Sequence, residues 1–316
     1  MCFLEKGSMG TTSKVVYVVI VTWNGDAWIR QAIESLQRST FPVRIVVVDN
    51  ASVDETVSTV RNYYKNVEIL CMPTNLGFAR ATNHGIRHAL SQGVDHVLLL
   101  NQDVKVAPTT VELLVNILDT HPDYGIISPL PLDYQGNGID PVFLQHIKDN
   151  VVLLSDAFST RLKEVYEMIF VNAAVWLVTS HLLQEVGGFD PLFFMYGEDQ
   201  DYCQRVRFHG FKVGLSPKTI AYHWHGGSSD KSHTFREQCV LFYAIMLYRL
   251  KRPERFFLQS FLSLIPTWSR RSIMILMDLD LKGFCAIIHS FSKVLIYFFP
   301  IWKHHRISKQ RGSSWL

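Results

Sequence analysis

Absences narrow this 316-residue sequence before any motif is read. No CxxC pair occurs, and the five cysteines (Cys2, Cys71, Cys203, Cys239 and Cys285) are scattered and odd in number. That excludes a disulfide framework and a thiolate zinc site, and it suits a reducing cytoplasm. Strong charge of one sign is also missing: a net +3 gives no reason to expect a nucleic-acid partner. Neither GxGxxG nor GxxxxGK[ST] is present, so the dinucleotide fingerprint and the P-loop are excluded. The N-terminus lacks the apolar run of a signal peptide; residues 1–13 are expected to be a disordered N-terminus outside the fold. Clean apolar runs of membrane-spanning length are absent too. The longest candidate, residues 283–302, carries Lys293 in its middle and Pro300 near its end.

What is present is alternation. VVYVVIVT, residues 15–22, is a β-branched run of the kind buried on both faces of a sheet. Residues 27–37 then place Ile29, Ala32, Ile33 and Leu36 at helical spacing. RIVVVD, VEILCMP, HVLLL and GIISP read as further strands. Between them lie helical segments: SVDETVSTVRNYY, with Ser52 and Glu55 as a capping box, ARATNHGIRHALSQG, closing on Gly93, and residues 108–119. This order predicts an α/β fold, a mostly parallel sheet with helices on both faces. Past residue 130, PLDYQGNGIDP is a turn-rich insertion. FVNAAVWLVT, FKVGL and TIAYHW read as strands, with a short helix ending at Gly187-Gly188 and another over residues 198–210. The domain spans residues 14–233, followed by a helical C-terminal region over residues 234–316.

The strands end on polar groups. In an open parallel sheet ligands bind beyond the carboxyl ends of the strands, so these exits are where a site is expected. The first ends at Thr22-Trp23-Asn24-Gly25, the second at Asp49-Asn50, the third at Thr74-Asn75 with Gly77, and the fourth at Asn101-Gln102-Asp103. One such residue would be an ordinary helix cap; four exits along one sheet edge point to a ligand. Asp103 is a hard oxygen donor suited to Mg²⁺ or Mn²⁺ bridging phosphates.

Two further clusters follow. In GEDQDYCQRV, Asp199, Tyr202 and Val206 share one helical face, which predicts Asp199 inward, while Asp201 pairs with Arg205 outside. Asp199 is therefore the candidate general base and Glu198 the runner-up, with the helix dipole keeping the carboxylate ionised. In YHWHGGSS, His223 and His225 alternate with Tyr222 and Trp224 and face one side of a strand, as metal or phosphate contacts would.

VTWNG, VVVDNASVDET, NLGFARATNHGI, LLLNQDV, GGFDPLFFMYGEDQDYCQRV and YHWHGGS occur in the order seen in family 2 glycosyltransferases, and the chain most resembles the rhamnosyltransferase-like branch. The resemblance covers residues 15 to about 228. It implies a GT-A fold and inverting sugar transfer from a nucleotide-diphosphate donor, dTDP- or UDP-linked, with Mg²⁺ or Mn²⁺. The acceptor it implies is a glycan or lipid-linked glycan of a surface polysaccharide, reached by peripheral contact with the inner face of the cytoplasmic membrane. By position, Asp49 and Asn50 match the base-contacting pair, Trp23 and Asn24 line the nucleotide pocket, and Arg80 and Asn83 neighbour the diphosphate or nucleoside. Asp103 and His223 match the metal ligands, and Asp199 the base. Asn101-Gln102-Asp103 keeps one carboxylate where many members have two or three, so weak metal affinity is expected. The Arg-Asn pair often found after the His motif is replaced by LFYAIMLYRL.

Residues 234–316 match no motif. They read either as helices packed on the domain or forming a homo-oligomer interface, or as helices lying in a membrane interface, with Trp268, Trp302 and flanking Lys and Arg as anchors. Two rival functions remain. A degenerate nucleotide-sugar-binding scaffold is opposed by the intact Asp103, Asp199 and His223. A nucleotidyltransferase is opposed by TWNGDAWIRQ, which lacks the Gly-rich basic loop.

Overall fold

The computed structural model describes residues 14–148, 150–224 and 234–316. Nine strands form one sheet: β1 (Val16–Thr22), β2 (Val43–Asp49), β3 (Val67–Cys71), β4 (His96–Asn101), β5 (Val104–Val106), β6 (Tyr124–Asp133), β7 (Tyr166–Met168), β8 (Val175–Thr179) and β9 (Lys212–His223). Their spatial order is β3-β2-β1-β4-β8-β6-β9-β5, with β7 also on β9. The first four strands are parallel, joined through α1 (Asp26–Gln37), α2 (Thr56–Tyr63) and α3 (Phe78–Ser91). β8 runs antiparallel to both neighbours, and β5 and β7 run antiparallel to β9, so the sheet is mixed.

The sheet is covered on both faces because β1 and its neighbours bury both sets of alternating side chains. Val16, Val18 and Ile20 point to a core shared with α1 and α4 (Thr110–Thr120). Tyr17 and Val19 point to the opposite core, built on α3, α7 (Ser180–Val186) and α8 (Glu198–Phe208). That second core continues into the C-terminal helices α9 (Phe235–Leu250), α10 (Phe257–Met277), α11 (Leu281–Ile296) and α12 (Phe298–Ser308), which contribute Trp268, Ile287, Val294 and Ile301. The insertion after β6 forms two short helices, α5 (Pro141–Ile147) and α6 (Val151–Phe158), each capped by its preceding Asp140 or Asn150.

Several local expectations are corrected. The Ser52–Glu55 capping box does not form. α2 starts at Thr56, and the Ser52 hydroxyl instead accepts from the Asn24 N–H at 2.8 Å, tying two strand exits together. FKVGL and TIAYHW are one strand interrupted by a register shift opposite Pro129 and Leu130, because β6 keeps pairing across the break. The strand expected from FVNAAVWLVT begins only at Val175.

Candidate active site

The four polar exits do meet at one edge of the sheet. They border an open cleft of about 200 Å³ lined by Trp23, Asn50, Asn75, Phe78, Asn101, Gln102, Asp103 and Met195, with Val21 beneath. Amide side chains hold its walls. Gln102 Oε1 accepts from the Thr22 hydroxyl at 2.7 Å and from the Trp23 N–H at 2.9 Å. A Cβ at Gly25 would lie 2.3 Å from that same Gln102 oxygen and from the Thr22 hydroxyl, so a larger residue would have to displace this pair. Asn24 takes a left-handed conformation (φ 48°), which Asn tolerates, and its Oδ1 receives the Val53 N–H at 2.9 Å. Asn50 Oδ1 accepts from the Leu76 N–H, and its Nδ2 donates to Asn75 Oδ1, at 2.8 and 2.9 Å. Sequence reasoning assigned Gln102 and Asn50 to ligand contact; the structure gives both amides work in bracing the rim.

Asp49 keeps more capacity. Its Oδ2 accepts from the Ser52 N–H at 3.2 Å, while Oδ1 is buried with no hydrogen-bond partner among the described residues. Such an acceptor carries a desolvation cost unless a donor reaches it. Trp23 stands at the mouth, 49% exposed, as a stacking surface would. Gly77 (φ 79°) lies against the Phe194 carbonyl, and the Phe78 N–H donates to that oxygen at 2.8 Å, so the third exit is fastened to the segment carrying Met195.

Asn83 is a correction. Its Oδ1 accepts from the Phe189 N–H at 2.8 Å and its Nδ2 donates to the Phe189 carbonyl at 2.7 Å, so it is a buried backbone clamp away from the cleft. Arg80 is exposed and donates from Nε to the Pro191 carbonyl at 3.1 Å; it does not line the cleft.

At the other side of Asp103, antiparallel pairing of β5 with β9 sets Val104 opposite His223. His223 Nε2 lies 3.7 Å from Asp103 Oδ1, and its Nδ1 lies 3.2 Å from Asp140 Oδ2. Asp140 is fully buried and caps α5 through its other oxygen. A carboxylate holding one ring nitrogen orients the other nitrogen, which is how metal-binding histidines are usually fixed. The donor set thus fits a divalent cation that takes its remaining oxygens from phosphates. Among the described residues no group of three or more His, Cys, Asp or Glu side chains forms a metal cage. His225 lies outside the described residues. Asp140 escaped sequence reasoning: the Asp-Pro step signals a helix start, but nothing local ties it to a histidine 83 positions away.

Glu198 and Asp199 open α8 after Gly197, which is left-handed at φ 81°. Asp199 Oδ1 accepts from the Gln200 N–H at 2.8 Å, and the carboxylate also receives the Ala173 N–H. The next residue, Ala174, accepts the Asn101 N–H at 3.0 Å. One short backbone segment therefore separates the acidic pair from the Asn101–Asp103 exit. Burial pushes Asp199 up to about 6, against the lowering effect of those N–H groups. It pushes Glu198 up to about 8, aided by the charge of Asp199. Burial is the largest influence on both carboxyls, although both stand in the first turn of α8. Burial of the two adjacent carboxyls thus favours holding a proton on the pair.

Asp201 and Arg205 form the expected pair at 2.9 Å, but not on an outer face: both are fully buried. Lys251, from the end of α9, ion-pairs with Asp201 at 3.0 Å and also with Asp190. His304 holds the second Asp190 oxygen at 2.7 Å, and Trp315 stacks on His304. Burial alone would raise the Asp190 carboxyl; Lys251 and His304 hold it well below the usual range.

Comparison with known proteins decides the family. The profile described as "Glycosyl transferase family 2" matches residues 17–175, half of the chain. The chain belongs to glycosyl transferase family 2. An N-acetylglucosaminyl-diphospho-decaprenol L-rhamnosyltransferase of Mycobacterium tuberculosis is 26% identical over 241 residues, 69% of this chain and 78% of that protein. The dTDP-rhamnosyl transferase RfbF of Shigella flexneri is 25% identical, covering 68% of this chain and 71% of the relative. Among solved structures, the mannosyltransferase PcManGT of Pyrobaculum calidifontis, in complex with GDP-Man and Mn²⁺, aligns with a TM-score of 0.59 at 16% identity over 94% of this chain and 85% of that one. S. aureus TarS 1–349 in complex with UDP-GlcNAc aligns with a TM-score of 0.55 at 16% identity, over 93% and 90%. This family 2 member has the GT-A fold and is a glycosyltransferase.

Proposed function

We propose that the enzyme moves a sugar, rhamnose being the first candidate, from a dTDP- or UDP-linked donor to a hydroxyl of a glycan or lipid-linked glycan, with inversion. The juxtaposition that carries this reading is at the Asn101–Asp103 exit: Asp103 lines the cleft and meets His223, and the Glu198–Asp199 pair lies one backbone segment away. The base and sugar of a nucleoside fit against Trp23, with the buried Asp49 oxygen ready for a donor group such as a base N–H. The names of the mycobacterial and Shigella relatives support rhamnose and a lipid-diphosphate acceptor.

Asp103 and His223 would hold Mg²⁺ or Mn²⁺, which when bound neutralises charge on the departing nucleoside diphosphate. Asp199 takes the acceptor hydroxyl proton as that oxygen attacks the anomeric carbon opposite the leaving group. Ionised just above its value of about 6, it is matched to a neutral operating pH. Glu198, protonated beside it, keeps a second negative charge away from the attacking oxygen. The four free thiols among the described residues, Cys71, Cys203, Cys239 and Cys285, support a cytoplasmic setting.

Thermal unfolding with a panel of nucleotide-diphosphate sugars, with and without Mg²⁺ or Mn²⁺, tests the donor site. A ligand at 100 times its Kd stabilises by about 2.7 kcal/mol. The reading expects a metal-dependent rise with dTDP- or UDP-sugars that Asp103→Asn removes. No rise with any donor in the presence of metal would overturn it.

A further inference from the structure

We infer that α10, α11 and α12 form a docking face for an anionic lipid bilayer, lying on the membrane without crossing it. The inference goes beyond sugar transfer and does not depend on it. An ordinary surface helix buries one apolar stripe and shows a charged one. α10 buries Phe257, Leu264 and Trp268, yet its outer face is apolar again: Leu258, Leu262, Ile265, Ile273 and Leu276 are exposed and fall along one helical stripe. Its 21 residues span about 30 Å and include no acid, only Arg270 and Arg271. α11 repeats the pattern, burying Ala286, Ile287 and Val294 while exposing Leu281, Ile288 and Leu295, again without an acidic residue.

The two ends of the α10 stripe join further apolar surface. At its start, Phe256, Leu258, Phe299 and Trp302 line one groove with the half-covered Phe298 and the buried Phe257. At its end, Met277 and Leu279 are 77% and 84% exposed in the turn into α11, beside the acidic Asp278 and Asp280. Continuous apolar surface of this extent marks an interaction site.

Charge selects the occupant. Residues 234–316 hold thirteen Lys and Arg against four Asp and Glu, a net of +9, whereas residues 1–233 carry a net of −6. Exposed Arg255, Lys303, Arg306 and Lys309 ring the aromatic groove, with Arg306 over Trp302 and Lys309 over Phe256. A second copy meeting this face would set like charges together. An anionic lipid surface satisfies both the apolar stripes and the basic rim. Crossing is opposed by geometry: no single described helix is long and apolar enough, and α11 with α12 qualify only as a pair bent by 72°. Each of α10, α11 and α12 also buries one side against protein.

Co-flotation of the full chain with phosphatidylglycerol-rich or pure phosphatidylcholine vesicles tests this. Binding is expected to anionic vesicles, about fivefold weaker for each of Lys303→Gln and Arg306→Gln. Leu262→Glu with Ile288→Glu should weaken it by more than about tenfold. Donor-induced thermal stabilisation should be unchanged in all of these variants, which separates this inference from the sugar-transfer reading and reports on folding. Absence of vesicle binding, equal binding to neutral vesicles, or binding indifferent to both sets of variants would overturn the proposal. A lipid-free dimer dissolved by Leu262→Glu would assign the face to a second copy instead, and so overturn it.

Discussion

Asp199 and Glu198 are adjacent carboxyls pushed to different values, about 6 and about 8, by burial at one helix start. If Asp199 must be ionised to accept a proton, kcat falls below about pH 6 with a single acidic limb, measurable in a pH–rate profile. Glu198 gives a prediction of opposite kind. Its folded value exceeds the ordinary glutamate value of 4.5, so the stability linked to its proton is present below that value and is lost as pH rises through about 8. Glu198→Gln should therefore flatten the fall in Tm between about pH 4.5 and about 8 and leave the variant more stable above pH 8, by on the order of a few kcal/mol. A parallel pH–Tm curve for variant and parent would show that Glu198 is not buried as a neutral acid. His223 depends on Asp140, and Asp140→Asn should weaken metal affinity about 10–100-fold, readable by titrating Mn²⁺ against donor-induced stabilisation.

At the scale of elements, the parallel half of the sheet was legible because β-branched runs and helical spacing agree with each other there. That Trp23, Asn75, Asn101 and Asp103 share one cleft was legible because all four stand at strand ends on one sheet edge. Asn83 was not, because an amide facing a cleft and an amide clamping a backbone 106 residues away look alike in sequence. Asp201 and Arg205 were misplaced for a related reason. Helical period assigns faces within one helix, but α9 and the C-terminal segment add a layer that covers the far side of α8. Trp268 is likewise no membrane anchor; it is buried against Phe242 beneath Arg271. The buried cluster predicts a large cost for one side chain: Lys251→Met leaves Asp190 and Asp201 short of a countercharge and should destabilise by about 3–5 kcal/mol in denaturant unfolding.

At the scale of the molecule, the chain is polarised. The acidic part carries the cleft proposed for the donor, and the basic helical region shares its core while keeping a second apolar face outward. Asp201, two positions after Asp199, is held by Lys251 at the end of α9, so the helix bearing the proposed base is anchored by the C-terminal region. In the proposed function Asp199 performs the chemistry while the cleft performs binding. The most direct measurement sets single-turnover sugar transfer beside donor affinity in Asp199→Asn. The expected result is a rate lower by about 10²–10⁴ with donor Kd nearly unchanged. Transfer at the parent rate, or lost donor binding with intact turnover, would contradict it.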